Sequence, residues 1–253
     1  MICIEENLIF FSYFRDMKKF SLKDAILFED DDFLVINKPP GISTLDDRHD
    51  PVNILSALKK YLDEVLVCHR LDKDTSGAIA FAKNENAHRH LSMQFEDRKV
   101  QKLYHAVVDG IHEYDNEIVD KPIKVSGKGT VRIDFRQGKP SKTTFTSIEA
   151  FKMHTLVACR PVTGRTHQIR IHLAELKSPI TGDITYGGRP FYLSSVKRNY
   201  NLKKWTEELP MIPRMALHAF SLGFKDVAGQ KIKIEAPYPK DFRVLTEQLR
   251  KNK

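Results

Sequence analysis

No stretch of this chain is apolar enough to cross a bilayer. The greasiest segments, residues 8–14 and 78–82, stop far short of the ~18 residues that a span requires. Residues 8–14 follow Glu5 and Glu6, lack a basic flank and run into Arg15 and Asp16, which excludes a secretory leader. Cysteine is scarce. Cys3, Cys68 and Cys159 are odd in number and widely separated, so no CxxC zinc ribbon or disulfide framework is indicated, and a reducing cytoplasm is the expected compartment. His167 and His172 are five apart and His88 and His90 two apart, neither being the i, i+4 pair of a zinc enzyme. There is no G-x-S-x-G around Ser76 and no glycine-rich phosphate loop, since Gly187-Gly188 is too little. Repeats and low-complexity tracts are also missing.

What the chain does have is positive charge. A formal +8 and a pI near 9.2 raise the odds of a polyanionic partner, although solvated surface lysine explains the surplus equally well. Residues 121–142 hold seven Lys/Arg against Asp134 alone, and the alternation over 131–135 predicts an exposed basic hairpin or loop. Residues 189–204 interleave Arg189, Lys197, Arg198, Lys203 and Lys204 with Phe191, Tyr192 and Tyr200, a mixture suited to single-stranded nucleic acid.

Apolar runs at 26–28 and 33–36 flank an acidic turn and predict a hairpin, ended by Pro39-Pro40-Gly41. Helical spacing appears over 51–66 and over 84–98, the second with Asn84 as its cap. Strands are expected at 102–110, 155–162, 217–224 and 231–235, a helix of about ten residues from a Thr166 cap to near Leu176, and a closing amphipathic helix over 239–253. Residues 1–20 show no period. No composition break marks an internal boundary, which predicts an extension over 1–25 and one domain over 26–253.

The segment His69-Arg70-Leu71-Asp72-Lys73-Asp74-Thr75-Ser76-Gly77 empties into the apolar run 78–82, which reads as a buried strand. Loops fixed by strands often carry catalytic groups, and Asp72 between two cations is suited to remain charged. A polar turn before a strand is the plainer alternative. Asp72, Tyr104 and the Arg165/His167/Arg170 group form a coherent set if the fold unites them: a carboxylate to attack or abstract, an arginine to orient it, a tyrosine to stack or move a proton. A helix starting near Thr166 adds partial positive charge for a phosphate.

The 69–77 segment resembles a signature of the RluA family of RNA pseudouridine synthases. So does Arg160-Pro161-Val162-Thr163-Gly164-Arg165-Thr166-His167-Gln168-Ile169-Arg170-Ile171-His172. Residues 35–41, 102–106 and 217–219 resemble further family segments in the same order. The resemblance implies an α+β fold: a mixed, mostly antiparallel central sheet with flanking helices and an RNA-binding cleft. It implies uridine isomerisation in ribosomal or transfer RNA, with no cofactor, no metal, no membrane and no obligate protein partner. Carried over, Asp72, Tyr104 and Arg170 match the catalytic aspartate, the base-stacking tyrosine and the arginine paired with the aspartate. Arg70 matches the residue that helps displace the target base, and Leu217 lies under that base. Lys38, Arg165 and His167 are phosphate or cleft contacts. Many relatives carry an S4-type RNA-binding domain, for which the 25 residues before the first hairpin are too few, so RNA grip is expected from the basic segments. An RNA-binding protein of the same fold without activity is the competing reading.

Overall fold

Ser76–Ala82 is the strand to which the rest of the sheet is referred. All seven of its residues are buried, so it lacks the in–out alternation of a surface strand and must be covered on both faces. In the computed structural model, which describes residues 21–45, 53–127, 130–198, 200–202 and 206–253, this strand is β4. Before it come a single helical turn α1 (Leu22–Ala25), the hairpin β1 (Ile26–Glu29) and β2 (Phe33–Lys38), α2 (Ile54–Leu58) and β3 (Leu66–Val67). After it come α3 (Glu85–Glu96), β5 (Gln101–Asp109), β6 (Glu117–Asp120), β7 (Ile123–Val125) and β8 (Val131–Ile133). Then follow β9 (Lys142–Ala150), β10 (His154–Pro161), α4 (Gln168–Glu175), β11 (Leu217–Lys225), β12 (Lys231–Glu235) and α5 (Lys240–Lys251).

Ten strands form one sheet with the main order β1-β2-β4-β11-β5-β10-β9-β6, while β3 pairs with β4 and β12 with β11. Every pairing is antiparallel except the short β4–β11 contact, where Ser76 and Gly77 face His218 and Ala219. This is the mixed, mostly antiparallel α+β architecture expected from the sequence. Gly77 explains how β11 gets so close: its φ is +117°, and a Cβ there would lie 2.2 Å from the Ala219 carbonyl oxygen. The crossover joins the two halves of the sheet, and the Asp72 loop sits at that seam.

Apolar faces cover the sheet in three buried clusters. One combines β5, β10 and β11 with Ile169 and Leu173 of α4 and Phe242, Leu245 and Leu249 of α5. A second lies under α2 against β2 and β4, and a third packs Ala87 and Leu91 of α3 against the opposite face of those strands. Each fully buried Leu or Phe contributes about 1.5–3 kcal/mol. As expected, Asn84 caps α3, its side chain accepting the Ala87 N–H at 2.9 Å.

Two helices differ from the sequence pattern. The one expected over 51–66 is only Ile54–Leu58, begun by an Asn53–Ser56 capping box and ended so that Leu66 and Val67 can join β4; residues 51 and 52 lie outside the described residues. The helix expected from a Thr166 cap begins at Gln168, with His167 as its cap in the left-handed region at φ 55°. No side chain caps it; instead Gln168 staples the preceding turn, accepting from Thr163 Oγ1 (2.6 Å) and the Arg165 N–H (3.0 Å). The unpatterned residues 1–20 lie outside the described residues.

Candidate active site

The Asp72 loop is held almost entirely through its backbone. The Leu71 C=O and N–H both bond Thr44 Oγ1, at 3.0 and 3.2 Å. The Lys73 carbonyl accepts from Lys38 Nζ and from the Gly41 N–H, each at 2.9 Å. The Asp74 carbonyl accepts from Arg214 Nη1 at 2.9 Å, and the Thr75 N–H closes the turn onto the Asp72 carbonyl at 3.1 Å. At the loop's start, His69 Nε2 accepts the Ala80 N–H at 3.0 Å while its ring lies 4.5 Å from Phe95. Burial pushes the His69 pKa down to about 3, which keeps the ring neutral and Nε2 able to accept.

With its backbone tied down, the loop leaves the Asp72 side chain one quarter exposed in a cleft of about 450 Å³. Among the described residues nothing hydrogen-bonds its carboxylate. Its nearest cation is Arg170 Nη1 at 3.9 Å, and the His167 ring stands beside it with Nε2 at 4.0 Å. Both come from the start of α4, so the structure brings together the first and second sequence signatures. Tyr104 of β5 lines the same cleft beside Leu217 of β11, its backbone paired between Cys159 and Ala219. Burial, and secondarily the charge of Asp72, hold the Tyr104 phenol well above its ordinary pKa. The group therefore stays protonated at neutral pH and presents a ring face rather than a phenolate.

Arg70 and Arg165 also line the cleft, Arg70 exposed and Arg165 donating from Nε to the Pro140 carbonyl at 3.3 Å. With Lys102 they make the walls predominantly cationic, which suits a phosphate-bearing ligand. Lys38 is a correction. Expected as a phosphate or cleft contact, it is 0% exposed, and Nζ donates to the carbonyls of Pro39, Ile42 and Lys73, all at 2.9 Å. An ammonium with three donors has none left for RNA. Burial, with Arg214 nearby, lowers its pKa to about 7.

The pairing expected between Arg170 and Asp72 is also looser than the sequence implied. Arg170 makes a bidentate pair with Asp183, Nε to Oδ2 at 2.6 Å and Nη2 to Oδ1 at 2.7 Å, leaving Nη1 toward Asp72. Tyr186 completes the support: its ring centroid is 4.8 Å from the Arg170 guanidinium carbon, and its hydroxyl is hydrogen-bonded to His167 Nδ1 at 2.8 Å. Burial lowers the His167 pKa despite Asp72.

Sequence reasoning passed over Asp183, Tyr186, Lys102, Gln168 and Arg214. Lys102 Nζ donates to the Thr163 carbonyl at 3.0 Å, and burial lowers its pKa to about 8. Arg214, 5% exposed, makes a bidentate pair with Asp241 and also reaches Ser76 Oγ at 3.2 Å. Its signal was a lone arginine within the apolar run of residues 211–217, since a buried charge requires partners. Asp183 carried no such local cue.

The basic 121–142 segment forms the β7–β8 hairpin, as expected, and packs Ile123 and Val131 against Ile171 of α4. Lys128 lies outside the described residues, as do Lys203 and Lys204 of the second basic segment. The described residues of that second segment are irregular apart from a short turn over Leu193–Ser195. Among the described residues, no three His, Cys, Asp or Glu converge to hold a metal, and no helix is long and apolar enough to cross a membrane.

Residues 32–175 match the model of the family described as RNA pseudouridylate synthase. Ribosomal large subunit pseudouridine synthase C of Vibrio vulnificus is 36% identical over 234 residues, covering 90% of this chain and 70% of the relative. The synthase C of Escherichia coli is 36% identical over 238 residues, covering 91% and 71%. Among solved structures, human RNA pseudouridylate synthase domain containing 1 superposes with a TM-score of 0.63 at 27% identity, covering 89% of this chain and 94% of that one. Human RNA pseudouridylate synthase domain containing 4 gives a TM-score of 0.69 at 24% identity, covering 94% and 98%, a likeness of fold.

Proposed function

This chain belongs to the RNA pseudouridylate synthase family and isomerises uridine to pseudouridine in RNA; from that premise we propose its substrate and the part each cleft residue takes. The substrate is large-subunit ribosomal RNA, a reading supported by the names of relatives at 36% identity. The free Cys68 and Cys159 fit work in the cytoplasm, with 26–253 acting as one catalytic domain and no obligate protein partner.

Isomerisation breaks the N1–C1′ bond, turns the uracil and forms C5–C1′; C5 loses its proton and N1 gains one, with no change of oxidation state. The target nucleotide must first leave its stack. Asp72 then attacks C1′ or removes the 2′ proton. The observation that carries this assignment is a carboxylate that no described residue hydrogen-bonds, facing Arg170 and His167 across a cleft. Arg170 stabilises charge on that carboxylate, and Tyr104 and Leu217 form the surface on which the uracil rests. Burial, more than the Asp72 charge, keeps the Tyr104 phenol protonated, so it serves the uracil as a ring surface, and it could take the C5 proton only after giving up its own. Arg70 takes the place of the displaced base, and Arg165 and His167 contact the backbone.

Release of tritium from C5-labelled uridine in large-subunit ribosomal RNA tests the reading. The unaltered chain is expected to release label, and Asp72→Asn to bind the RNA while releasing none. Normal turnover by Asp72→Asn would overturn the assignment, and label released from transfer RNA alone would overturn the substrate.

A further inference from the structure

Ile184 is 76% exposed, the most solvent-accessible large apolar side chain among the described residues. A single exposed isoleucine is ordinary on a surface. This one differs in how it is mounted. It opens the three-residue turn Ile184–Tyr186, and the residues around it are tied into the active site. Asp183 immediately before it clamps Arg170, and Tyr186 two residues later bonds His167 and faces the Arg170 guanidinium.

The turn's backbone is closed as firmly. The Tyr186 and Gly188 N–H groups both donate to the Asp183 carbonyl, at 3.1 and 2.9 Å, and the Gly182 N–H donates to the Arg189 carbonyl at 2.8 Å. A β-branched side chain on so fixed a base has little rotamer freedom to lose on contact. On its far side Tyr186 packs with Ile171 and the β7–β8 hairpin residues Ile123 and Val131. The turn thus bridges the arginine beside Asp72 and the hairpin that carries the basic surface.

We infer that Ile184 is a wedge that enters the base stack next to the target uridine and keeps that nucleotide in the cleft. The inference rests on the isomerase reading and adds the residue that acts on the neighbouring stack. Apolar side chains inserted between base steps unstack them without reading sequence, since they offer no donor or acceptor. An isoleucine next in the chain to the aspartate that clamps Arg170 would supply that chemistry close to the site of extrusion. Because the side chain contacts water rather than core, its removal leaves the fold unchanged.

The test uses the full chain and two C5-tritiated stem-loop RNAs carrying a mapped target uridine, one with it paired, one with it opposite a mismatch. Ile184→Ala is expected to lower kcat on the paired RNA about tenfold with KM nearly unchanged, because extrusion is the step that suffers. The mismatch should restore the variant to within about twofold of the unaltered chain, and Ile184→Leu should retain activity on both RNAs. Equal rates for Ile184→Ala and the unaltered chain on the paired RNA would overturn the wedge, as would a deficit of the same size on both. Absence of tritium release by the unaltered chain from either RNA would instead overturn the isomerase reading, and the wedge with it.

Discussion

Arg170 directs its two shortest hydrogen bonds to Asp183, at 2.6 and 2.7 Å, and approaches Asp72 only to 3.9 Å. Asp183 is 2% exposed, so its carboxylate is neutralised by the same guanidinium that it orients. The consequence is an arginine whose third nitrogen is fixed in direction before substrate arrives. Asp183→Ala should therefore do two things. It should destabilise the protein by about 3 kcal/mol, as expected when one partner of a buried pair is removed, and lower kcat by about a hundredfold. Asp183→Asn keeps an acceptor for one bond and should recover much of the stability but less of the rate. Thermal unfolding together with single-turnover tritium release separates the effects; an unaltered kcat in Asp183→Ala would show that Arg170 needs no such clamp.

Lys38 offers a sharper contrast, because two readings of it predict opposite kinetics. Removing a cation that neutralises a phosphate raises KM and lessens the salt dependence of binding. A buried ammonium bonding the Lys73 carbonyl instead positions the loop, so Lys38→Met should lower kcat tenfold or more while RNA affinity and its salt slope stay put. Retained kcat with weakened binding would restore the phosphate role.

The contrast shows where the sequence could be read and where it could not. The buried β4 strand, the first hairpin and the Asn84 cap follow from local patterns, because hydrophobic periodicity and capping are properties of neighbours in the chain. The meeting of Asp72 with the 165–170 segment was legible only through resemblance, since contacts a hundred residues apart leave no periodicity. Lys38 was misread because lysine is so rarely buried that a solvent-facing ammonium is the natural expectation. Arg214 and Asp183 bond partners that only the folded chain brings near.

The part-buried His69 and the buried His105 and His218 make acid the condition to which the seam is most sensitive. Burial lowers the pKa of His69 to about 3 and those of His105 and His218 to about 4, and all three make hydrogen bonds as neutral rings. A histidine depressed in the fold is neutral there while the unfolded chain takes up a proton below its ordinary value near 6.5. Stability is thus fully present above that value and is lost as pH falls toward 4. Each ring should cost roughly 1–2 kcal/mol between pH 7 and pH 5. Urea unfolding at the two pH values measures the total, and His69→Gln, which retains an acceptor but does not titrate, should reduce the dependence. Stability that did not change between pH 7 and pH 5 would mean that these rings are not buried as described.

The basic hairpin is the last element whose role can be measured. Asp134 accepts the backbone N–H groups of Arg136 and Gln137 at 3.0 and 2.9 Å, hydrogen bonds that lower its pKa and fix the turn after β8. That turn holds Arg136 and Lys139 exposed and, among the described residues, without an ion pair; Arg132 has only a 3.4 Å contact to Asp134. Cations so displayed gain little from the protein itself, because surface ion pairs contribute under about 1 kcal/mol. Their value lies in displacing counterions from RNA. Replacing Arg132, Arg136 and Lys139 together with Gln should leave thermal stability and kcat at saturating RNA unchanged. It should also reduce the log–log salt slope of binding by about two to three units, near one for each phosphate left without its cation. An unaltered slope would make these three plain surface charges and move the grip on RNA to the cleft wall, where Arg70 and Arg165 already stand.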